Sequence, residues 1–276
     1  MKAKTIKSAL LTIVMGIIAL LWIIPVYYLV INAFKPLKDV VIRTGAFPTT
    51  LFLQNFIDVW KMTDYPLLFA NSFIITSCSV ALIVLFSSMA GYKLARSSGK
   101  VANLTILYFL VALVIPFQSI MIPLVKLMSQ LHLANSKIGI IILYTALQSP
   151  MSIYLYYGAV KCISPSLEES ATIDGAGPIR TFFSIIFPLL SPMTSTIVIL
   201  NTLWLWNDFL LPLVLISDAT KKTIPLGTSA LMFGSFMNKW NLGITSILLA
   251  TIPMLVVYLV LQKYIVKGIT EGSVKG

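Results

Sequence analysis

Six long apolar runs, at about 9–33, 71–92, 104–125, 138–159, 189–216 and 242–266, leave this chain few ways to fold. Each is about the length a helix needs to cross a hydrocarbon core of about 30 Å. In lipid every backbone N–H and C=O must be paired within the protein, so a spanning segment is either a helix or a strand of a closed barrel. The runs lack the apolar–polar alternation of barrel strands. They predict one all-α integral membrane domain over residues 1–276, with six transmembrane helices and no internal repeat.

Composition narrows the alternatives. At 58% hydrophobic and 11% charged residues, with a mean hydropathy of +0.94, the chain lies outside the soluble range. The basic head MKAKTIKS before an apolar run also has the form of a signal peptide. Its run from Ala9 to Ala33 is about 25 residues, against about 7 to 15 for a secretory core, so it is read as the first span. The net charge of +11 is scattered between spans rather than gathered on an aromatic-studded face, which argues against nucleic acid as a partner. Cys78, Cys162 and the lone histidine, His132, do not form a ligand set, and neither a metal nor a cofactor is expected. No G-x-x-x-x-G-K-[ST] loop is present to cradle phosphates, so ATP hydrolysis is not expected in this chain.

The polar stretch from Ser164 to Pro192 interrupts the second half. Ser164 with Pro165, or Ser166 with Glu169 three residues on, can start a short helix. Gly175 and Gly177 permit a tight elbow, and Pro178 is placed to open a second helix. In that helix Ile179, Phe182, Phe183 and Ile186 form one apolar stripe expected to be buried. By periodicity alone, an amphipathic helix lying on headgroups fits the stripe equally well.

Glu169-Ser170-Ala171, Gly175 after three residues, and Ile185-Ile186-Phe187-Pro188 after nine more resemble the EAA loop of ABC-importer permeases. The chain departs from that pattern at Ser170, where the family has Ala, and at Phe187, where it has Leu. The resemblance implies a coupling loop over 164–188 on the cytoplasmic face, seated in a cleft of an ATPase subunit. Glu168, Glu169, Ala171, Asp174, Gly175 and Pro188 are its coupling candidates. Asn71-Ser72-Phe73, Ala90 to Arg96, Trp206-Asn207-Asp208-Phe209 and Ile224 to Gly227 resemble the maltose-type carbohydrate permeases within that family. The tail, 268–276, resembles the one that reaches into the ATPase interface there, which singles out Gly272, Ser273, Val274 and Lys275. Glycines at 268, 272 and 276 predict that it is extended rather than helical.

Polar residues within the spans are the pathway candidates. Gln118 lies between Pro116 and Pro123, and Tyr144 and Gln148 precede Pro150; prolines free backbone carbonyls that must face protein or water. Asn201, Trp204 and Asp208, at i, i+3 and i+7, are expected on one helical face with Asn207 beside them. An acid inside a span marks a functional site by default. The alternatives are interhelical packing for the amides and an interface belt for the tryptophans.

These readings predict the permease subunit of a binding-protein-dependent importer for a sugar. The resemblance implies two ABC ATPase subunits, a second permease from a different chain, an extracellular or periplasmic solute-binding protein, and a bacterial or archaeal cell membrane crossed several times. Six spans put both termini on one side; the basic residues lean slightly toward that side being the cytoplasm, and the loop resemblance agrees. The competing readings are an ion-coupled secondary transporter without an ATPase, and an intramembrane enzyme, for which no nucleophile–base pair is evident.

Overall fold

The computed structural model describes residues 2–233 and 239–273, with the side chains of 10–232 and 239–259. Among the described residues none lies in a strand. In order, the elements are α1 (Lys2–Ala33), α2 (Leu37–Ile42), α3 (Gln54–Met62), α4 (Tyr65–Arg96), α5 (Lys100–Val114), α6 (Phe117–Gln130), α7 (Lys137–Lys161), α8 (Ser166–Ile173), α9 (Pro178–Thr181), α10 (Phe187–Leu189), α11 (Ser191–Asn207), α12 (Leu210–Leu215), α13 (Ile224–Phe233) and α14 (Trp240–Ser273). A π-helical turn, Phe182–Ile186, joins α9 to α10, and a 3-10 turn, Ala219–Lys221, precedes α13.

Among the described residues four helices, α1, α4, α7 and α14, are long and apolar enough to cross a membrane alone. Two further segments are bent pairs, which bring the number to six if each pair is one span. The stretch around 104–125 is not one kinked helix: α5 and α6 meet at 102°. Ile115, at φ −74° and ψ 114°, has left the helical region because the ring of Pro116 crowds it. Likewise Pro178–Leu189 and α11 meet at 75°, at Leu190. The run 189–216 is interrupted again at Asp208, which is extended at ψ 127° and separates α11 from α12.

The chain forms two compact units. The first comprises Met1–Pro66 with Gly227–Pro253. Along α1 the most apolar window is wholly exposed within this chain, so it requires lipid or another protein as neighbour. At the end of α1 the chain folds around Lys35, which is 1% exposed. Its ammonium donates to Asn32 Oδ1 at 3.0 Å and to the carbonyls of Arg43 and Thr44 at 2.9 and 3.2 Å, three acceptors for three N–H groups. Burial still lowers the Lys35 pKa, with Asp39 opposing. Asn55 ties α3 to this turn by donating to the carbonyls of Ala33 and Lys35, and Asn241 of α14 donates to Asn55 Oδ1. Val59, Leu231 and Leu242 form the apolar core beneath.

The second unit comprises Leu67–Leu226 with Met254–Gly276. Its core runs through Ile75 and Ile83 of α4, Ile140, Leu143, Tyr144 and Tyr156 of α7, and Ile197 and Leu205 of α11. Helices α4 and α7 touch at Gly91, where an added Cβ would stand 2.7 Å from Tyr156 Cβ and 3.0 Å from the Ile153 carbonyl oxygen. Backbone of α14 is helical through Ser273, so residues 268–273 correct the expectation of an extended tail. Isolated glycines cost a helix about 1 kcal/mol each and do not stop one that is already long. Val274 and Lys275 lie outside the described residues.

Candidate functional site

The polar loop is built by local sequence. Helix α8 starts at Ser166 with Pro165 in the N-cap position, where its carbonyl receives the Glu168 N–H at 2.9 Å, while Ser164 Oγ receives the Ser166 N–H at 3.4 Å; Ser166 is therefore the first helical residue and not the cap. Helix α8 then ends in a Schellman turn. The Ala176 N–H reaches the Ala171 carbonyl at 2.9 Å and the Gly175 N–H the Thr172 carbonyl at 3.1 Å, while Gly175 takes φ +78°. Pro178 opens α9.

Of the coupling candidates, Ala171 is buried at 4%, and Glu169, Asp174, Gly175 and Pro188 are exposed. Glu168 behaves differently from its neighbour. Its Oε1 lies 2.7 Å from Arg96 Nε, and its Oε2 receives the Tyr92 hydroxyl at 2.8 Å. Arg96 also donates from Nη2 to the Ile163 carbonyl at 2.8 Å. Arg96 and Tyr92 at the end of α4 therefore belong to the loop, although the sequence marked them only as the border of a span. Spacing alone could not pair residues more than seventy positions apart.

The stripe expected in the second helix is split. Phe182 and Ile186 are buried, Ile179 is 74% exposed and Phe183 is also exposed. The π-helical turn from Phe182 to Ile186 is wider than an α-turn and rotates these side chains out of the register that 3.6 residues per turn predicts. Ile173, at 86% exposed, and Leu167 add apolar surface on α8. Together with the carboxylates of Glu169 and Asp174 they make a mixed apolar and acidic face on the loop.

The pathway candidates gather around Trp204, which is 47% exposed. A cavity of about 350 Å³ lies between Trp204, Phe117, Leu147, Gln148 and Pro150. A second of about 170 Å³ includes Gln118, Trp204 and Asp208, and a third of about 480 Å³ includes Trp204, Asn207 and Asp208. Tyr144 is buried beside them, its ring edge-on to Trp204 at 6.1 Å and its hydroxyl donating to Asp208 Oδ2 at 2.8 Å. Asp208 Oδ1 receives the Leu210 N–H at 3.0 Å, capping the start of α12.

Asn201 does not join this group. It is buried and donates to Ser152 Oγ of α7 and to the Ile197 carbonyl, the packing role expected for an amide between membrane helices. The expected common face of Asn201, Trp204 and Asp208 is present, since all three meet α7, Asn201 at Ser152 and Trp204 and Asp208 at Tyr144, but Asn201 lies about two turns along α11 from Asp208 and lines none of these three cavities.

Comparison with known proteins places these features in a family. The chain is 36% identical to the probable starch degradation products transport system permease protein AmyC of Thermoanaerobacterium thermosulfurigenes, over 100% of both chains. It is 39% identical to the multiple sugar-binding transport system permease protein MsmG of Streptococcus mutans, over 98% of this chain and 96% of that one. It is 32% identical to the melibiose/raffinose/stachyose import permease protein MelC of Bacillus subtilis, over 99% of each. Among solved structures, a chain of a bacterial ABC transporter involved in the import of the acidic polysaccharide alginate shares the fold, with a TM-score of 0.82 at 23% identity over 96% of this chain and 98% of that one. Residues 83–271, which contain the polar loop and the Trp204 cavities, match the model of the binding-protein-dependent transport system inner membrane component family, and the chain belongs to that family.

Proposed function

We propose that this chain is the permease subunit of an ATP-driven importer that takes up a sugar or oligosaccharide delivered by an external solute-binding protein. The observation that carries the reading is the end-to-end likeness to sugar-transport permeases, which spans both the polar loop and the Trp204 cavities. In this reading each bent pair counts as one span, the termini and the 164–188 loop face the cytoplasm, and two ATPase subunits and a second permease complete the assembly. A family that works with a binding protein weighs against an ion-coupled secondary transporter.

The proposed mechanism uses two sites. The exposed face of Glu169, Ile173 and Asp174 presents apolar surface and carboxylates to a partner, as a cleft with basic residues would require. Closure of the ATPase pair on ATP would move α8 and shift the balance between inward-open and outward-open states. At the cavities, the exposed ring of Trp204 offers a face for the C–H surface of a sugar, and Gln118, Gln148, Asn207 and Asp208 offer groups for its hydroxyls. Gly272, Ser273, Val274 and Lys275 would add a second contact with the ATPases.

The test is purification of the chain from native membrane, wild type beside Glu169→Lys, with the copurifying proteins identified and ATP hydrolysis measured with and without loaded solute-binding protein. Copurifying ATPase subunits that are released or uncoupled by the charge reversal are the expected result. A chain that purifies alone and still moves solute in liposomes overturns the reading in favour of a secondary transporter.

A further inference from the structure

Helix α4 is fastened at both ends by directional polar bonds. At its C-terminal end Arg96 and Tyr92 hold Glu168 of the coupling loop, and the Tyr92 ring packs on Phe182 of the π-helical turn at 5.2 Å. At its N-terminal end the Asn71 amide donates to the carbonyls of Thr220 and Lys222 at 2.9 Å each, and Ser72 Oγ receives the Ile224 N–H at 2.8 Å. Asn71 and Ser72 are 0% and 2% exposed. The segment they grip is itself braced. Asn135 Oδ1 receives the N–H groups of Ser217 and Asp218, and Lys221 Nζ donates to the Asn135 carbonyl.

Between these attachments lies unbroken helix. Its one proline, Pro66, sits in the first turn, and the helix runs on to Arg96. From Asn71 to Arg96 the rise is about 37 Å at 1.5 Å per residue, more than the thickness of the hydrocarbon core. A helix resists compression because each turn is closed by backbone hydrogen bonds. Burial alone would not need such groups, since an apolar contact packs a helix as well. Side chains that bond the backbone of another segment fix its position along and around the helix axis.

We propose that α4 is a rigid tie between the coupling loop and the 216–224 segment at the opposite end of the helix, with Arg96 and Asn71 as its two positioning residues. The proposal rests on the importer reading above. Movement of α8 on ATP binding is carried along α4 to the 216–224 segment, so the two ends of the pathway change state together.

The complete importer in proteoliposomes, supplied with its loaded solute-binding protein, tests this by the amount of solute moved per ATP hydrolysed. That ratio does not depend on how much complex assembles, so a loss of yield cannot imitate the effect. Arg96→Ala and Asn71→Ala are each expected to lower the ratio about threefold or more, and the double variant to fall no further than the worse single. Independent sites this far apart give effects that multiply, whereas a tie cut at one end has nothing left to lose at the other. Arg96→Lys, which keeps the charge toward Glu168, should recover part of the ratio. An unchanged ratio in the single variants, or multiplying losses in the double, overturns the tie and leaves the importer reading standing. A wild-type assembly whose ATP hydrolysis does not respond to loaded solute-binding protein overturns both.

Discussion

The Tyr144 hydroxyl donates a 2.8 Å hydrogen bond to Asp208 Oδ2, and the Leu210 N–H holds the other carboxylate oxygen at 3.0 Å. The acid therefore stands at a break between α11 and α12, where it caps the second helix, with one side open to the cavities around Trp204. Leaving a buried polar group without its hydrogen-bond partner costs about 1–3 kcal/mol. Tyr144→Phe should destabilise the detergent-purified protein by about that amount in thermal unfolding. Asp208→Ala removes the cap as well and should cost at least as much.

Trp204 borders all three cavities, which separates its role from that of Asn201. Trp204→Ala is expected to lower solute uptake by the assembled importer about tenfold or more, with thermal stability little changed because the ring is half exposed. Asn201→Ala should do the reverse. It leaves Ser152 without its partner in a buried contact and should lower stability by about 1–2 kcal/mol while changing uptake less than Trp204→Ala. Equal effects of the two on uptake would contradict the assignment.

The adjacent glutamates of α8 should part company in the same way. Glu169 is exposed and Glu168 is held by Arg96 and Tyr92. Glu169→Ala is expected to weaken ATPase binding, read by copurification, without lowering the melting temperature. Glu168→Ala should lower the stability of the isolated chain by about 1–2 kcal/mol, because Arg96 loses its carboxylate in a partly buried setting.

Two glycines differ in why they are needed. Gly175 holds φ +78° with nothing within 4 Å of an added Cβ, so Gly175→Ala should cost only the conformational term, about 1–2 kcal/mol. Gly91→Ala places a methyl against the Tyr156 Cβ and the Ile153 carbonyl of α7, which cannot retreat without moving the helix. It is expected to cost about 1–3 kcal/mol, and Gly175→Asn to recover part of its loss where Gly91→Ser recovers none.

Asp218 accepts from the Thr220 N–H, from the Thr220 hydroxyl and from Lys221, and these bonds hold its pKa down at about 2. The ordinary value is about 3.9. A carboxyl depressed in the folded state binds its proton less readily there than in the unfolded chain, so its stabilising contribution is present above about pH 4 and disappears as pH falls toward 2. The difference in melting temperature between wild type and Asp218→Ala should narrow over that window and stay constant from pH 5 to 7.

What was legible in the sequence is what local chemistry controls. Apolar runs of spanning length require helices in a membrane because unpaired backbone groups cannot be left in lipid. Ser164, Pro165, Gly175 and Pro178 specify where two short helices start, stop and turn, because capping and positive φ depend only on nearby residues. The structure decided what depends on distant neighbours and on breaks. Spacing put Asn201, Trp204 and Asp208 on one face, but it could not show that Asn201 is taken up by Ser152 while Trp204 and Asp208 reach the cavities. It could not show that the π-helical turn splits the stripe of Ile179, Phe182, Phe183 and Ile186, or that Glu168 rather than Glu169 meets Arg96. Periodicity assumes one unbroken helix and is silent about which helix lies alongside, whereas side-chain pairing is set by helices brought together from far apart in the chain.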